Sequence, residues 1–296
     1  MERLGFIGTG GMGGPMVANL LKAGFRVTVF DTKREATRHL EKTGASYAPS
    51  PQAVAESSEA VLSMLPFGDS VREVGFGEKG LAKAVSGAKI WIDLSSVERE
   101  AITVLEKGLK IKGWTLLDAS VGGVEEDAAA GTLAINVSGE KAAVDLIRPV
   151  LAALGKKITY CGALGNAKLV KTGTAMHAAV QAWASAEIFS WLKSCGISEE
   201  VTYEVLKDSL VWSAELERHC TRIVDKKFKP RKSWMPKDIG FGLANAQGKG
   251  VPLPFTALAD QMFNIGRSNE VDGYEQIGIA YKVFEILGGR GKGKSK

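Results

Sequence analysis

The first half of the chain alternates between short apolar runs and longer amphipathic stretches. Apolar runs that predict β-strands lie at residues 4–8, 27–30, 60–64, 89–93, 115–118, 133–137 and 158–161. Between most of them, apolar positions recur with helical spacing, as they do over 98–109 and 141–154. This alternation predicts a mostly parallel, doubly wound sheet with helices on both faces. Ligands of such sheets bind beyond the carboxyl ends of the strands.

The pattern changes after Gly165. Residues 166–194 contain no proline, are rich in alanine and are apolar on most sides of a predicted helix, so we expect this helix to be buried. Further helical segments follow at 199–210, 213–224, 237–247, 256–265 and 274–287. The predicted fold class is α/β: an N-terminal Rossmann domain at 1–163 and an all-α domain for substrate binding and oligomerisation at 164–288. The long helix joins the two domains, and a basic flexible tail follows at 289–296.

The turn after the first predicted strand is rich in glycine, with the sequence Gly-Thr-Gly-Gly-Met-Gly at 8–13. The first glycine permits a tight turn, the second lets the backbone approach a pyrophosphate, and the last lets the helix pack closely on the strand. The helix N-terminus adds unpaired N–H groups and a partial positive charge. We predict a dinucleotide site formed by Gly8, Gly10, Gly11, Met12 and Gly13.

The second predicted strand ends at Asp31, where a carboxylate would accept hydrogen bonds from an adenosine ribose. A carboxylate there favours NAD over NADP, because it repels a 2′-phosphate. Lys33 and Arg34 follow immediately and are able to pair with that phosphate, so dual use of NAD and NADP stays open.

The net charge of +5 does not predict a nucleic-acid partner. Four cations lie in the terminal Gly-Lys tail, at Arg290, Lys292, Lys294 and Lys296, and no basic stripe is interleaved with aromatic residues. No apolar run has membrane-spanning length and no signal peptide is visible, so we expect a cytoplasmic protein without a membrane partner.

Neither the cysteines nor the histidines have the spacing of metal ligands. They lie far apart, at Cys161, Cys195 and Cys220 and at His39, His177 and His219. We therefore predict no metal site.

Four stretches resemble motifs of one family. They read GTGGMGGPMVANL at 8–20, DASVGGVEEDAAAGTL at 118–133, GALGNAKLVK at 162–171 and KDIGFGLA at 237–244. The chain resembles the β-hydroxyacid dehydrogenases, which include 3-hydroxyisobutyrate dehydrogenase, tartronate semialdehyde reductase and related serine dehydrogenases. The resemblance implies NAD(P)-dependent oxidation of a small hydroxy-acid substrate, of the 3-hydroxyisobutyrate, serine, 3-hydroxypropionate or glycerate type, or the reverse reduction of the semialdehyde. Reduction of another small carbonyl or imine, and non-catalytic dinucleotide binding, are the alternatives.

The family's catalytic lysine corresponds to Lys171. Transfer of a hydride to or from a carbonyl carbon requires a group that donates or accepts the proton at oxygen, and lysine is able to do both. The helical pattern alone would make a lone lysine here a surface residue. Lys168, one helical turn earlier, is the rival, but the spacing from Gly162 favours Lys171.

The resemblance also implies a set of binding residues. Gly122 and Gly123 offer backbone N–H groups to a substrate carboxylate, although a glycine pair by itself is typical of an ordinary turn. The implied substrate contacts are Ser95, Ser120, Val121, Gly122, Gly123, Thr174, Lys237 and Asp238. The implied cofactor contacts beyond the glycine turn and residues 31–34 are Leu65, Pro66, Ser96 and Lys237. Trp234 either lines the pocket or fills the core.

The chain departs from the family pattern at several of these positions. Ser120 replaces a proline, Gly122 a serine and Val124 a glycine; Ala167 stands where glycine is common, and Ala175 where asparagine is usual. These changes bear on substrate identity rather than on the proposed acid/base.

The long helix also predicts a homodimer or homotetramer. Small residues would let a partner subunit approach closely, at Ala175, Ala178, Ala179, Ala182 and Ala186. Burial of the same surface within one subunit is the alternative.

Overall fold

The computed structural model describes residues 1–230 and 233–288. It divides into two compact units, the first spanning Met1–Lys171 and the second beginning at Thr172. The predicted tail at 289–296 lies outside the described residues. Within the described ranges, no helix combines the length and apolarity needed to cross a membrane.

An eight-stranded sheet forms the centre of the first unit. Its strands are β1 (Arg3–Ile7), β2 (Arg26–Phe30), β3 (Ser46–Tyr47), β4 (Ala60–Ser63), β5 (Ile90–Asp93), β6 (Thr115–Gly122), β7 (Leu133–Ser138) and β8 (Gly155–Tyr160). They lie in the order β3-β2-β1-β4-β5-β6-β7-β8. The first six strands have the order of a dinucleotide-binding doubly wound sheet, with the topological switch between β1 and β4.

Every neighbouring pair of strands is parallel except β6 and β7. Gly122, at the end of β6, is the register partner of Ala134 near the start of β7. Because β7 runs in the reverse direction, the chain leaves β6 and enters β7 at the same edge of the sheet. The segment between them therefore stays at the carboxyl edge, where ligands of this fold bind.

Helices cover both faces of the sheet, as predicted. They are α1 (Gly13–Lys22), α2 (Arg38–Glu41), α3 (Pro51–Glu56), α4 (Gly68–Phe76), α5 (Arg99–Ile111), α6 (Glu125–Ala130) and α7 (Lys141–Ala152). Successive residues of β4 alternate between two buried clusters: Ala60 and Leu62 belong to one, and Val61 to the other. This alternation is what a strand buried on both faces requires.

All regular secondary structure in the described part of the second unit is helical. The helix α8 (Asn166–Ser194) begins in the first unit and continues into the second. It is followed by α9 (Glu199–Lys207), α10 (Ala214–Asp225), α11 (Met235–Lys249), α12 (Pro254–Ser268) and α13 (Gln276–Leu287). The Trp183 ring of α8 meets Phe263 of α12 edge-on, with 5.0 Å between ring centroids.

The structure changes the argument for an oligomer. Ala179, Ala182 and Ala186 are fully buried in the core of the helical unit, and Ala175 is also buried. These residues allow close packing within one chain, so they provide no surface for a partner. The alternative that the sequence left open, burial within one subunit, describes these four alanines, whereas Ala178 is half-buried.

Three features of the sheet differ from the sequence-based expectation. One is that β8 begins at Gly155, three residues before its predicted start at 158. The two-residue strand β3 is too short to give a hydrophobic pattern, and β6 continues four residues past its predicted end at 118. The added part of β6 includes Ser120, which like Asp118 is polar and fully buried.

Candidate active site

The glycine turn has the shape that an anion requires, and the helix after it starts without a side-chain cap. Gly8 has φ +89°, and a Cβ there would lie 2.3 Å from the Met64 carbonyl oxygen. A Cβ on Gly13 would lie 1.9 Å from the Gly8 carbonyl oxygen, whereas Gly10 faces open space. No side chain caps the N-terminus of α1, at Met12, and its first turn contains no acid. The turn thus fits a dinucleotide pyrophosphate.

The segment after β6 lies directly against this turn. A Cβ on Gly11 would lie 2.2 Å from a carboxylate oxygen of Glu125, at the start of α6. The Asn19 side-chain amide of α1 donates to the Ala128 carbonyl oxygen of α6 at 2.6 Å. The reversal of β7 explains this contact, because it keeps α6 at the carboxyl edge. Glu125 is exposed, so its flexible end is free to yield to a cofactor.

The Asp31 carboxylate is held at the end of β2 by backbone donors. The Thr9 N–H donates to Oδ2 at 2.8 Å, and the Lys33 N–H donates to Oδ1 at 2.9 Å. The Thr9 hydroxyl also donates to Oδ2, at 3.3 Å. A carboxylate has about four lone-pair sites, so Asp31 keeps the capacity to accept one ribose hydroxyl.

A buried ion pair lies at the carboxyl end of β5. Lys168 Nζ donates to Asp93 Oδ2 at 2.8 Å, to the Asp93 carbonyl oxygen at 3.1 Å and to the Ser95 carbonyl oxygen at 2.7 Å. The two side chains are 1% and 0% exposed. An ammonium has three donors, and all three are used here.

The other carboxylate oxygen of Asp93 fixes the neighbouring strand and loop. It accepts hydrogen bonds from the Ser63 hydroxyl at 2.8 Å and the Ser95 hydroxyl at 2.7 Å. Ser95 Oγ in turn accepts the Leu65 N–H at 2.8 Å. The loops after β4 and β5, which contain the predicted contacts Leu65, Pro66 and Ser96, are thereby tied to one carboxylate.

A second buried carboxylate begins α8. Asp118, the register partner of Asp93, accepts the Gly165 N–H at 3.0 Å and the Lys168 N–H at 3.1 Å. Ser138 Oγ, which donates to Asp118, accepts the Ala167 N–H at 3.0 Å. These bonds satisfy N–H groups that a helix start leaves without intrahelical partners. The first turn of α8 is therefore anchored at the carboxyl ends of β5 and β6.

These contacts distinguish the two candidate lysines. Lys168 is excluded from solvent and uses all its donors inside the protein, so it has none left for a substrate. Lys171, one turn further along α8, is half-buried. The sequence patterns did not predict the network around Lys168. The only signal in the sequence was that two neighbouring predicted strands each end in an aspartate.

Ser95 is held inside the protein. Its side chain is fully buried, its hydroxyl donates to Asp93 and its oxygen accepts from Leu65, so it positions the loop. Ser96 is half-buried. A substrate contact at Ser95 and a cofactor contact at Ser96 stay predictions.

The predicted carboxylate-binding residues divide into buried and accessible members. Ser120 and Val121 are buried, and Ser120 Oγ has no hydrogen-bond partner among the described residues. Gly123 is exposed with φ +133°. A Cβ on Gly122 would meet only Ala134, at 3.7 Å, so this position has room for a side chain. The accessible backbone thus lies at Gly122 and Gly123.

The remaining predicted residues lie in the helical unit. Thr174 is exposed on α8, and Lys237 and Asp238 lie half-buried in the first turns of α11. The Trp234 ring is 58% exposed, so it does not fill the core. It lines a cavity of about 560 Å³ in this unit together with Lys237, Asp260 and Arg267. Among the residues that the structure describes, no group of three His, Cys, Asp or Glu side chains could hold a metal ion.

Two family profiles match the chain and divide it near the start of α8. Residues 3–162 match the NAD binding domain of 6-phosphogluconate dehydrogenase. Residues 165–281 match the profile described as NAD-binding of NADP-dependent 3-hydroxyisobutyrate dehydrogenase.

Individual proteins are similar over nearly the whole length. The 3-hydroxyisobutyrate dehydrogenase of Pseudomonas aeruginosa is 35% identical over 276 residues, covering 90% of this chain and 92% of that protein. The 2-(hydroxymethyl)glutarate dehydrogenase of Eubacterium barkeri is 31% identical, covering 97% and 96%. A solved structure of Mycobacterium tuberculosis 3-hydroxyisobutyrate dehydrogenase with L-serine is 29% identical, covers 96% of this chain and 99% of that chain, and superposes with a TM-score of 0.87.

The fold and these matches define an oxidoreductase that uses NAD or NADP. The chain belongs to the β-hydroxyacid dehydrogenase family. This confirms the family and the two-part fold predicted from the sequence.

Proposed function

We propose that this protein oxidises a short 3-hydroxy acid to its semialdehyde, or catalyses the reverse reduction, with Lys171 as the acid/base. The observation that supports this proposal is the anchoring of α8. Asp118 and Asp93 hold its first turn at the carboxyl ends of β5 and β6, and Lys171 follows one turn later. This edge is where a doubly wound sheet binds its ligands.

Different residues of this chain would bind different parts of the cofactor. The glycine turn at 8–13 would hold the pyrophosphate, Asp31 the adenosine ribose, and Leu65, Pro66, Ser96 and Lys237 the nicotinamide half. When bound, the nicotinamide ring supplies the hydride acceptor or donor. We infer a preference for NAD, because Asp31 is held in place to accept ribose hydroxyls and would repel a 2′-phosphate.

Lys171 accepts or donates the proton at the substrate oxygen, depending on the direction of the reaction. As the alcohol is oxidised, its amine takes the hydroxyl proton; in the reverse direction its ammonium donates that proton and polarises the carbonyl. Backbone N–H groups at Gly122 and Gly123 bind the substrate carboxylate, with Thr174, Lys237 and Asp238 as further contacts. Relatives named for 3-hydroxyisobutyrate and L-serine indicate the size and charge of the substrate.

A pair of substrates that differ only in the carboxylate tests this proposal. Full-length protein would be assayed for reduction of NAD and NADP with 3-hydroxypropionate and with 1-propanol, alongside 3-hydroxyisobutyrate, serine and glycerate. We expect at least one acid to be oxidised, and 1-propanol to have a kcat/KM at least ~100-fold lower, because it leaves the carboxylate donors unpaired. Equal rates with 1-propanol, or no oxidation of any acid, would refute the proposal.

We also propose that the protein forms a dimer or tetramer through its helical unit. With the alanines of α8 buried internally, the support comes from large apolar side chains that remain exposed in this unit, including Trp191, Phe255 and Leu258. Light scattering at micromolar concentration is expected to give at least twice the monomer mass; a monomer would contradict the proposal.

A further inference from the structure

The cation nearest to the predicted ribose site is already paired. Arg34 follows Asp31 by three residues, and both of its terminal nitrogens donate to the Glu41 carboxylate, Nη2 to Oε2 at 2.8 Å. Arg34 Nη1 also donates to the Thr37 hydroxyl at 2.5 Å. The guanidinium carbon lies 3.9 Å from the centre of the Tyr47 ring. Arg34 is thus fixed on one face by an aromatic ring and along one edge by a bidentate carboxylate.

The group that holds Arg34 is itself held. Thr37 is fully buried, and its hydroxyl lies 2.7 Å from Glu41 Oε1 and 2.9 Å from the Arg34 carbonyl oxygen. Hydrogen bonds from Arg34 and then Thr37 lower the pKa of the Glu41 carboxyl, so it remains charged at neutral pH. The Arg34 and Glu41 side chains are 41% and 27% exposed, so both remain accessible to a bound molecule.

A 2′-phosphate would have to compete for this guanidinium. Arginine binds phosphate through the same paired N–H groups that it uses with a carboxylate. With Arg34 occupied, the charged groups nearby are the Asp31 and Glu41 carboxylates and the exposed Lys33 and Arg38 side chains. A phosphate dianion arriving there is repelled by two carboxylates and must pair with exposed cations instead of the positioned guanidinium, whereas a ribose hydroxyl needs only the acceptor that Asp31 provides.

We propose that Glu41 is a cofactor-specificity residue, which selects NAD by withholding Arg34 from the 2′-phosphate of NADP. This inference rests on the proposed function in one respect, the binding of the adenosine ribose at Asp31. Glu41 acts through Arg34 and touches neither the reacting atoms nor the substrate. The sequence alone offered Arg34 as a phosphate ligand; the structure adds the residue that competes for it.

The test is direct binding of both dinucleotides by calorimetry, using the full chain. We expect Glu41→Gln to tighten NADP binding about tenfold and to change NAD binding less than about twofold, because a neutral amide competes poorly for a guanidinium. The matched control is Glu35→Gln, which also removes one negative charge, but from an exposed residue adjacent to Arg34 in the chain. It is expected to change the NADP affinity by less than about twofold, since long-range effects of exposed charges are screened.

A double variant tests whether Glu41 acts through Arg34. In Glu41→Gln combined with Arg34→Gln, the gain in NADP affinity is expected to disappear. The inference is overturned if Glu41→Gln leaves NADP binding unchanged, if the gain survives loss of Arg34, or if the wild-type chain already binds NADP more tightly than NAD. Binding of neither dinucleotide by the wild-type chain would instead overturn the proposed function, so the two failures are distinguishable.

Discussion

Lys168 Nζ lies 2.8 Å from Asp93 Oδ2, and neither side chain reaches solvent. The pair connects α8 to the end of β5 across 75 residues of sequence. Its surroundings are polar, because the Asp93 carboxylate also accepts from Ser63 and Ser95. Lys168 therefore has a structural role, because it fixes α8 to the end of β5, and Lys171 is the proposed acid/base.

Lys168→Met is expected to destabilise the protein by roughly 3–5 kcal/mol, because it leaves the Asp93 charge buried without its partner. Denaturant unfolding followed by circular dichroism measures this loss. The matched control is Lys141→Met, which breaks the exposed pair between Lys141 and Asp145. Exposed pairs contribute at most about 1 kcal/mol. Equal losses for the two variants would contradict the structural role of Lys168.

Lys171→Ala is expected to lower kcat by ~100- to 10,000-fold, the usual effect of removing one positioned acid/base. Cofactor affinity should change little, because the phosphate and ribose contacts are proposed for residues 8–13 and 31–34. Steady-state kinetics and a separate measurement of dinucleotide binding check both statements. A variant that kept more than about a tenth of the wild-type kcat would exclude Lys171 as the acid/base.

Gly122→Ser is expected to fold normally and to change the relative kcat/KM among the hydroxy acids. Among the described residues, the nearest atoms to a new Cβ belong to Ala134, at an ordinary contact distance of 3.7 Å. The substitution would restore a hydroxyl that the family usually has at this position. Thermal melting and a substrate panel test it, with Gly123→Ser as the contrast. That second variant should be destabilised, because Gly123 has φ +133° and its Cβ would lie 2.9 Å from Leu133.

The helical unit is expected to lose stability in acid, when the Glu215 carboxylate takes up a proton. Burial raises the pKa of this carboxyl, but the adjoining His219 ring and the Arg218 guanidinium lower it more, to about 2. His219 Nε2 lies 3.2 Å from Glu215 Oε1, and the Arg218 guanidinium donates to the same oxygen.

The sign follows from proton uptake. Because the folded-state pKa lies below the ordinary value near ~4.3, unfolding takes up a proton in between, and the stabilisation present above pH ~4.3 is lost as the pH falls towards 2. Glu215→Gln should therefore destabilise the protein at pH 7, and its difference from wild type should shrink below pH ~4. Urea unfolding across this range tests the prediction; Glu217→Gln, at an exposed position of α10, is the control and should show no such convergence.

The features that the sequence predicted correctly are those set by local patterns. The glycine turn, the strands on either side of it and the long helix α8 each follow from periodicity or from residues adjacent in the chain. The first six strands then adopt the order expected of a doubly wound sheet.

The features that it missed depend on partners distant in sequence. Buried carboxylates are rare, yet Ser138, Gly165 and Lys168 satisfy Asp118, and β6 continues beyond its predicted end at this residue. In the same way, nothing near Arg34 in sequence distinguished a free phosphate ligand from one that Glu41 already holds.

The reversal of β7 also affects how this scaffold tolerates change. Residues 123–132 leave the sheet and return to it at one edge, and the pairing of Gly122 with Ala134 closes the base of this segment. Substitutions or insertions inside it need not shift the register of either strand, as they would in a strand interior. For protein engineering, the exposed positions of this segment can be varied to seek new specificities, provided that Gly123 and the buried Ala128, which support the turn and the core, are kept.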